Sequence, residues 1–324
     1  MSKTLFWGNS YYLAPTLGDS FVIEIPSYGY ALMSALAWAV SAQLINKGLQ
    51  QLPRHDKFPA LIGGLMISLS AGSLLLGVIV FDSLSISDLR WELIAAGILT
   101  FPLGTGLYYF CGHAVGGRME FASQFANVKP IFSVVFGFVF LSESLSAQTL
   151  IGMALIFCGV GVLCWGSVKG DFSWFSLGLG IALASAWAGG ETFIKVGLEG
   201  KATSLDATFI SLASGTVVGL ALGAPYVISQ KQKLPHGGKW VLPFVGHGIL
   251  SFTLAYSALF ESIRRIGLID SILITAFWPA LALLLGRVCG TRSNQQISPL
   301  LILAMLLLVS GSLIHVGVVA RINE

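Results

Sequence analysis

Ionisable side chains are the groups that could do chemistry in this chain, and very few fall inside its long apolar runs. Glu191 lies about one turn past the middle of such a run, whereas Glu92, Glu120, Glu143, Glu199, Glu261 and Asp270 sit nearer the ends of theirs. Trp187 stands four residues before Glu191 and Lys195 four after, so a helix puts all three on one face. A charge at the centre of a membrane helix costs about 2.5 to 3.5 kcal/mol on insertion scales, so a side chain of this kind must face protein or water. One reading makes Glu191 a proton or cation site, Trp187 a wall against an apolar or aromatic solute, and Lys195 a charge partner or anion contact. The plainer reading is an ion pair four residues apart, with Lys195 extending its ammonium toward the membrane boundary.

Other polar residues fall in comparable places. Trp38, Gln43 and Asn46 occupy the first apolar run, and Gln43 has a counterpart 149 positions on in Thr192, beside Glu191; two such uncharged hydrogen-bonding side chains suit either a polar solute or the gluing of helices. Gln124 and Asn127, three apart and on one face, precede Pro130, whose ring removes a backbone hydrogen bond and frees a carbonyl. Lys129 beside that proline is either a contact for an anionic solute or a consequence of the loosened backbone. Tyr256 could lend a hydroxyl to the same site, as could Tyr108 and Tyr109, although tyrosines more often anchor at the interface. His113, His247 and His315 are isolated, and HExxH, GxxxxGK[ST] and strand-borne GxGxxG patterns do not occur. Metal catalysis, ATP-driven transport and a bound cofactor are therefore not expected. The four cysteines lie in or at the end of apolar stretches without CxxC spacing and read as small buried residues.

The elements that must hold these groups are long and apolar. Of 324 residues 55% are hydrophobic and 10% charged, and the mean hydropathy is +0.82. A soluble domain carries about 25% charged residues, so the expected solvent is a lipid bilayer. The net charge of +3 is scattered over short loops, which gives no reason to expect nucleic acid as a partner. Runs of roughly 20 apolar residues mark spanning helices. Ten are expected: Tyr28 to Leu49, Pro59 to Phe81, Trp91 to His113, Met119 to Leu141, Ala147 to Gly166, Phe175 to Leu198, Asp206 to Ser229, Trp240 to Ser262, Leu268 to Val288 and Pro299 to Val319. Runs this long exclude barrel strands, so the fold class is an all-α polytopic membrane bundle. Residues 1–27 form a mixed polar and aromatic lead-in without the pattern of a cleaved signal peptide.

Shifting the chain by 149 positions superimposes Ala37-Trp38-Ala39 on Ala186-Trp187-Ala188, Gly48-Leu49 on Gly197-Leu198, Gly97 on Gly246, and Pro130 on Pro279. The expected organisation is a repeat over 28–166 and a second over 175–319, together one integral membrane domain. Five helices is an odd number, so the second unit enters from the opposite face and the copies become inverted repeats, a transporter-like layout.

The stretch Ala122-Ser123-Gln124-Phe125-Ala126-Asn127-Val128-Lys129-Pro130, followed by Phe140-Leu141-Ser142-Glu143-Ser144-Leu145 and Ile151-Gly152-Met153-Ala154-Leu155-Ile156, resembles the EamA-type transporters of the drug/metabolite transporter superfamily. The resemblance covers nearly the whole chain. It departs after Pro279, where Arg292 stands at the place the repeat assigns to Glu143. The resemblance implies a solute carrier, often an exporter, with a cavity formed by helices one to four and six to nine and with helices five and ten bracing the outside. It also implies cytoplasmic termini. Loop charges, seven Lys and Arg on the side of the termini against ten opposite, tilt weakly the other way. The expected function is a secondary carrier moving a small metabolite or drug-like molecule by alternating access, drawing on a proton or cation gradient. The expected location is the bacterial inner membrane. A receptor or scaffold built on a carrier fold is the alternative class; a catalytic constellation cannot be assembled.

Overall fold

The computed structural model describes residues 25–51, 58–85, 89–114, 128–171, 174–231, 234–235, 237–288 and 299–322, and all regular structure among them is helical. Helices α1 (Ser27–Gln50) and α2 (Phe58–Val80) are followed by α3, which starts as Trp91–Ile98, widens into a π-helical stretch Leu99–Thr105 and resumes as Gly106–Ala114. Then come α4 (Lys129–Leu141), α5 (Ala147–Asp171), α6 (Trp174–Gly197) and α7 (Ser204–Ser229). Helix α8 repeats the design of α3, with Val241–His247, a π stretch Gly248–Ala255, and Tyr256–Ile266. Helix α9 runs as Leu268–Thr275 and Trp278–Val288, and α10 is Pro299–Ile322. Most expected spans are met within a few residues. The fourth was expected from Met119 but is described only from Lys129, so Gln124 and Asn127 lie outside the described residues.

Six helical stretches among the described residues are long and apolar enough to cross a membrane: Ser27–Gly48, Phe58–Val80, Trp91–Cys111, Ser204–Ser229, Val241–Ile266 and Leu268–Gly286. Lys129–Leu141, Ala147–Val162 and Ile302–Gly317 are shorter apolar stretches. Large apolar side chains such as Leu74, Val78, Phe138, Val217, Leu222 and Leu306 point outward, as expected of a surface facing lipid chains.

The two π stretches begin 149 residues apart, at Leu99 and Gly248, which is the shift that aligns the halves of the sequence. Pro102 accompanies the first, whereas the second holds no proline. Packing is exchanged between halves in a matching way. Helix α1 lies against α8 and α9, while α6 lies against α3 and α4; α2 packs on α7 and α8, and α5 packs on α10. Where helices cross, glycines let backbones meet, since a Cβ on Gly97 would fall 1.9 Å from the Ser211 carbonyl oxygen and one on Gly248 2.2 Å from that of Ser68. Such close packing is how membrane helices associate without a hydrophobic driving force. One core joins α1, α2, α3, α6, α7, α8 and the start of α9. A second joins α4, α5, α9 and α10.

Helix ends carry specific stops. Thr203 and Asp206 form a reciprocal capping box at the start of α7. The Arg90 guanidinium donates to the Gly197 carbonyl at the end of α6, 3.2 Å away. The turn after α4 makes the longest-range cap. Ser142 adopts a left-handed conformation (φ 54°), the Glu143 amide bonds back to the Gly137 carbonyl, and the Glu143 carboxylate accepts from the amides of Leu268 (2.7 Å) and Ile269 (2.8 Å). Two of the four orphan N–H groups at the start of α9 are thus satisfied from the other half, by a negative charge suited to a helix N-terminus. Gly267, at φ 90°, admits this carboxylate, because a Cβ there would lie 2.9 Å from Glu143 Oε1.

Replacing Glu143 by Ala strands both amides, so a loss of about 2 to 3 kcal/mol in stability is expected, with Glu143→Gln losing less. Thermal unfolding of the purified protein in detergent checks this order; equal unfolding temperatures for wild type and Ala variant would refute the cap's contribution.

Candidate functional site

Lys129 opens α4 with Pro130 directly behind it, and its side chain enters the space between the two halves. Its ammonium donates to Oε1 of Glu191 at 2.7 Å, with side-chain exposures of 8% and 0%. The same ammonium lies 5.0 Å from the ring centroid of Trp38, within range of a cation–π attraction. Ser133, one turn further along α4, sits beside the carboxylate, whose Oε2 has no partner of hydrogen-bond geometry among the described residues.

This pairing corrects the expected one. Lys195 does not reach Glu191; its ammonium donates to the Ile263 carbonyl on α8 at 3.3 Å. Spacing within a helix shows which side chains share a face, but α4 packs on α6 and delivers a cation directly to the carboxylate. Lys195, two residues from the end of α6, is left to the closing turn of α8.

Beside the pair is a narrow cavity of about 50 Å³. Its walls include Trp38, Ser41 and Ile45 from α1, Thr105 and Tyr108 from α3, Lys129 from α4 and Trp187 from α6. Helix α8 adds His247, Ser251, Phe252 and Tyr256, and α9 adds Trp278. The rings form a continuous set: Trp38 meets Tyr256 edge to face at 5.3 Å and Trp278 at 6.2 Å, Tyr256 meets Phe101 at 5.0 Å, and Tyr108 meets Trp187 at 5.6 Å. The Trp187 indole N–H donates to the Thr100 carbonyl at 3.0 Å, inside the π stretch of α3, and the Thr105 hydroxyl donates to the same oxygen. The ring rests on Gly104, where a Cβ would lie 2.4 Å from Trp187 Cδ1.

Of the residues singled out in the sequence, Trp38, Trp187 and Tyr256 line this cavity, and Glu191 stands behind Lys129. Gln43 is turned toward α9, donating to the carbonyls of Ala282 (2.7 Å) and Ala39 (3.3 Å), which is helix gluing. Asn46 is half-buried on α1 outside the lining. Of the two tyrosines read as either cavity or interface residues, Tyr108 lines the cavity and Tyr109 is buried in the core. Lys129, read from sequence as either an anion contact or a consequence of the loosened backbone, is in the lining, and Trp278, His247 and Phe252 are among the residues not placed there from sequence. A usable signal existed for Trp278, since the 149-residue shift carries Lys129 onto it.

The same shift carries Glu191 onto Ala42, another wall residue. One repeat therefore supplies an apolar counterpart wherever the other supplies half of the ion pair. The model of the EamA-like transporter family matches residues 25–165 and again 174–317, covering both repeats. The chain belongs to the EamA-like transporter family. Family and apolar helices together make it an integral multi-pass membrane protein. Among relatives of this EamA-like chain, a probable amino-acid metabolite efflux pump of Salmonella typhimurium strain LT2 is 29% identical over 168 residues. That match takes in 51% of this chain and 52% of the relative, so the chain spans about half the length of the curated relative it matches. A solved crystal structure aligns with 92% of this chain and 99% of its own at a TM-score of 0.66 and 19% identity, which shows the shared fold alone.

Breaking a buried pair leaves the other charge uncompensated, so Lys129→Met and Glu191→Met should each cost about 3 to 5 kcal/mol. The double variant, which removes both charges, should recover most of that loss. Unfolding temperatures of the three variants in detergent measure it, and a double variant no better than the worse single one would show that the two charges are not coupled.

Proposed function

We propose that this protein is a secondary carrier that exports a small amphoteric or drug-like solute through ten membrane crossings arranged as two inverted five-helix repeats. The observation that carries this reading is the buried Lys129–Glu191 pair at the wall of an aromatic cavity, with one partner from each repeat. A closed pair of this kind is a stored recognition site. A solute carboxylate competes for the Lys129 ammonium, and a solute ammonium or a proton takes the place of Lys129 on Glu191. The unpartnered Glu191 Oε2 gives the incoming group an acceptor. Trp38, Trp187, Trp278 and Tyr256 meanwhile cover an apolar or aromatic body, as expected where a few polar groups fix orientation and rings supply contact area.

Because α4 and α6 belong to different repeats, any motion of one repeat against the other acts on the pair. Alternating access then follows from two packings of similar halves about the site. Glu191 is the residue through which a proton or cation gradient is coupled, and the solute and the gradient compete for the same carboxylate. Export, amino-acid-like metabolites as solutes, and the bacterial inner membrane are supported by the similarity to the Salmonella efflux pump.

Reconstituted vesicles separate the steps. Wild type should accumulate solute against its gradient when a proton gradient is imposed, tested first with amino acids and small aromatic drugs. Glu191→Gln should abolish that accumulation and weaken exchange of ammonium-bearing solutes, while exchange of anionic solutes held by Lys129 persists; undiminished gradient-driven accumulation by the Gln variant would reduce Glu191 to a structural partner of Lys129.

A further inference from the structure

His247 is a titratable side chain on the cavity that the ion-pair mechanism does not use. It ends the first α-helical segment of α8, just before the π stretch, and is 5% exposed. It lines the cavity together with Ser41, Thr105 and Ser251. Its ring neighbours are Tyr109 at 6.4 Å and Phe252 at 5.1 Å. The main chain of Ser41 approaches it, yet neither ring nitrogen has a partner of hydrogen-bond geometry among the described residues. A neutral imidazole offers one donor and one acceptor, and burying both without partners is unfavourable unless something else satisfies them.

The repeat sharpens the point. The 149-residue shift carries His247 onto Ile98, so an apolar side chain suffices at this place in the other copy. His247 joins Lys129, opposite Trp278, and Glu191, opposite Ala42, as a polar group set against an apolar counterpart. Their places along the cavity differ. Tyr256, whose ring packs on Trp38 beside the Lys129 ammonium, lies nine residues beyond His247 on α8. The residues between them are the π stretch Gly248–Ala255, so the two side chains stand about two turns apart along the axis.

We infer that His247 is a second polar pole of the solute site, selecting solutes that carry a hydroxyl, amide or ring nitrogen at the end remote from their charged head. This rests on the carrier reading for the first pole and adds the length and far-end chemistry of the solute. A site with a buried hydrogen-bonding group rejects an analogue lacking the matching group, because the protein group is then left unpaired. Apolar-tailed solutes of equal length are therefore the poor substrates.

Two matched pairs test this on the full-length protein in lipid nanodiscs: phenylalanine with tyrosine, and tryptophan with 5-hydroxytryptophan. The hydroxylated member of at least one pair should bind about tenfold or more tightly to wild type. His247→Phe, similar in shape but without polar atoms, should collapse that ratio toward one, and His247→Gln should restore part of it. A ratio unchanged in His247→Phe, or no discrimination by wild type that binds both members, overturns the proposal. The unfolding temperature of the ligand-free protein gives an independent reading. His247→Phe should raise it by relieving an unpartnered polar group, and a fall shows that the imidazole is already satisfied, which overturns the proposal whether or not any probe binds. Discriminating binding without transport in vesicles would instead overturn the carrier reading and leave the second pole standing.

Discussion

A charge cannot stand alone in a lipid-surrounded core, and the Lys129–Glu191 pair shows how much of this fold follows from that constraint. Both side chains are buried, so each is tolerable only while the other is within hydrogen-bond reach. That fixes the approach of α4 to α6. Helix α6 must also lie close to α3, and glycines make this possible: a Cβ on Gly190 would fall 2.1 Å from the Thr100 hydroxyl, and one on Gly197 2.3 Å from a Leu93 methyl carbon. The same approach brings Trp187 onto Gly104 and its indole N–H to the Thr100 carbonyl. One wall of the cavity is therefore rigidly set by the packing that closes the pair. The opposite wall, Trp38 with Tyr256 and Trp278, is held by ring contacts and by the ammonium over Trp38.

Duplication supplies the scaffold, and divergence between the copies supplies the chemistry. The aromatic pair Trp38 and Trp187 is kept in both repeats, as are the π stretches and the prolines that open α4 and the second segment of α9. The ionisable wall groups are each kept in one repeat only. A symmetric site would place like charges across a short gap, where they repel, or two ion pairs in a cavity with room for one solute. With Ala42 and Trp278 at the counterpart places, the cavity holds one ion pair and not two, beside a broad apolar surface.

Much of the fold was legible because lipid imposes a simple code. Run length gave the helices, and Ala-Trp-Ala with the prolines gave the repeat. The depth of Glu191 in its run marked it correctly as a residue needing a partner, but the partner was sought on its own helix. Lys195 fits the local spacing; Lys129 does so only once α4 and α6 are packed together. Gln43 looked like a solute ligand for a related reason, since an amide inside a membrane helix has the same appearance whether it faces a cavity or the Ala282 carbonyl. The π stretches were not foreseen: Pro102 hints at the first, and nothing in Gly248–Ala255 announces the second. Glu143 has Arg292 at its counterpart place in the other copy, which from sequence speaks against a role for the turn. That argument treated the turn as a repeated feature, whereas its carboxylate serves a helix start 125 residues away.

That separation bears on the order in which the chain is built. A helix start leaves its first amides without partners inside the helix, and on α9 the Glu143 carboxylate takes two of them. That acceptor lies in the turn after α4 and so leaves the ribosome well before α9 does. The first half thus carries the anion that the later helix meets, and the two hydrogen bonds fix the start of α9 against the turn after α4. Lys129 stands in the same relation to Glu191, an earlier charge met by a later one, so in both places the second five helices close onto groups that the first five carry.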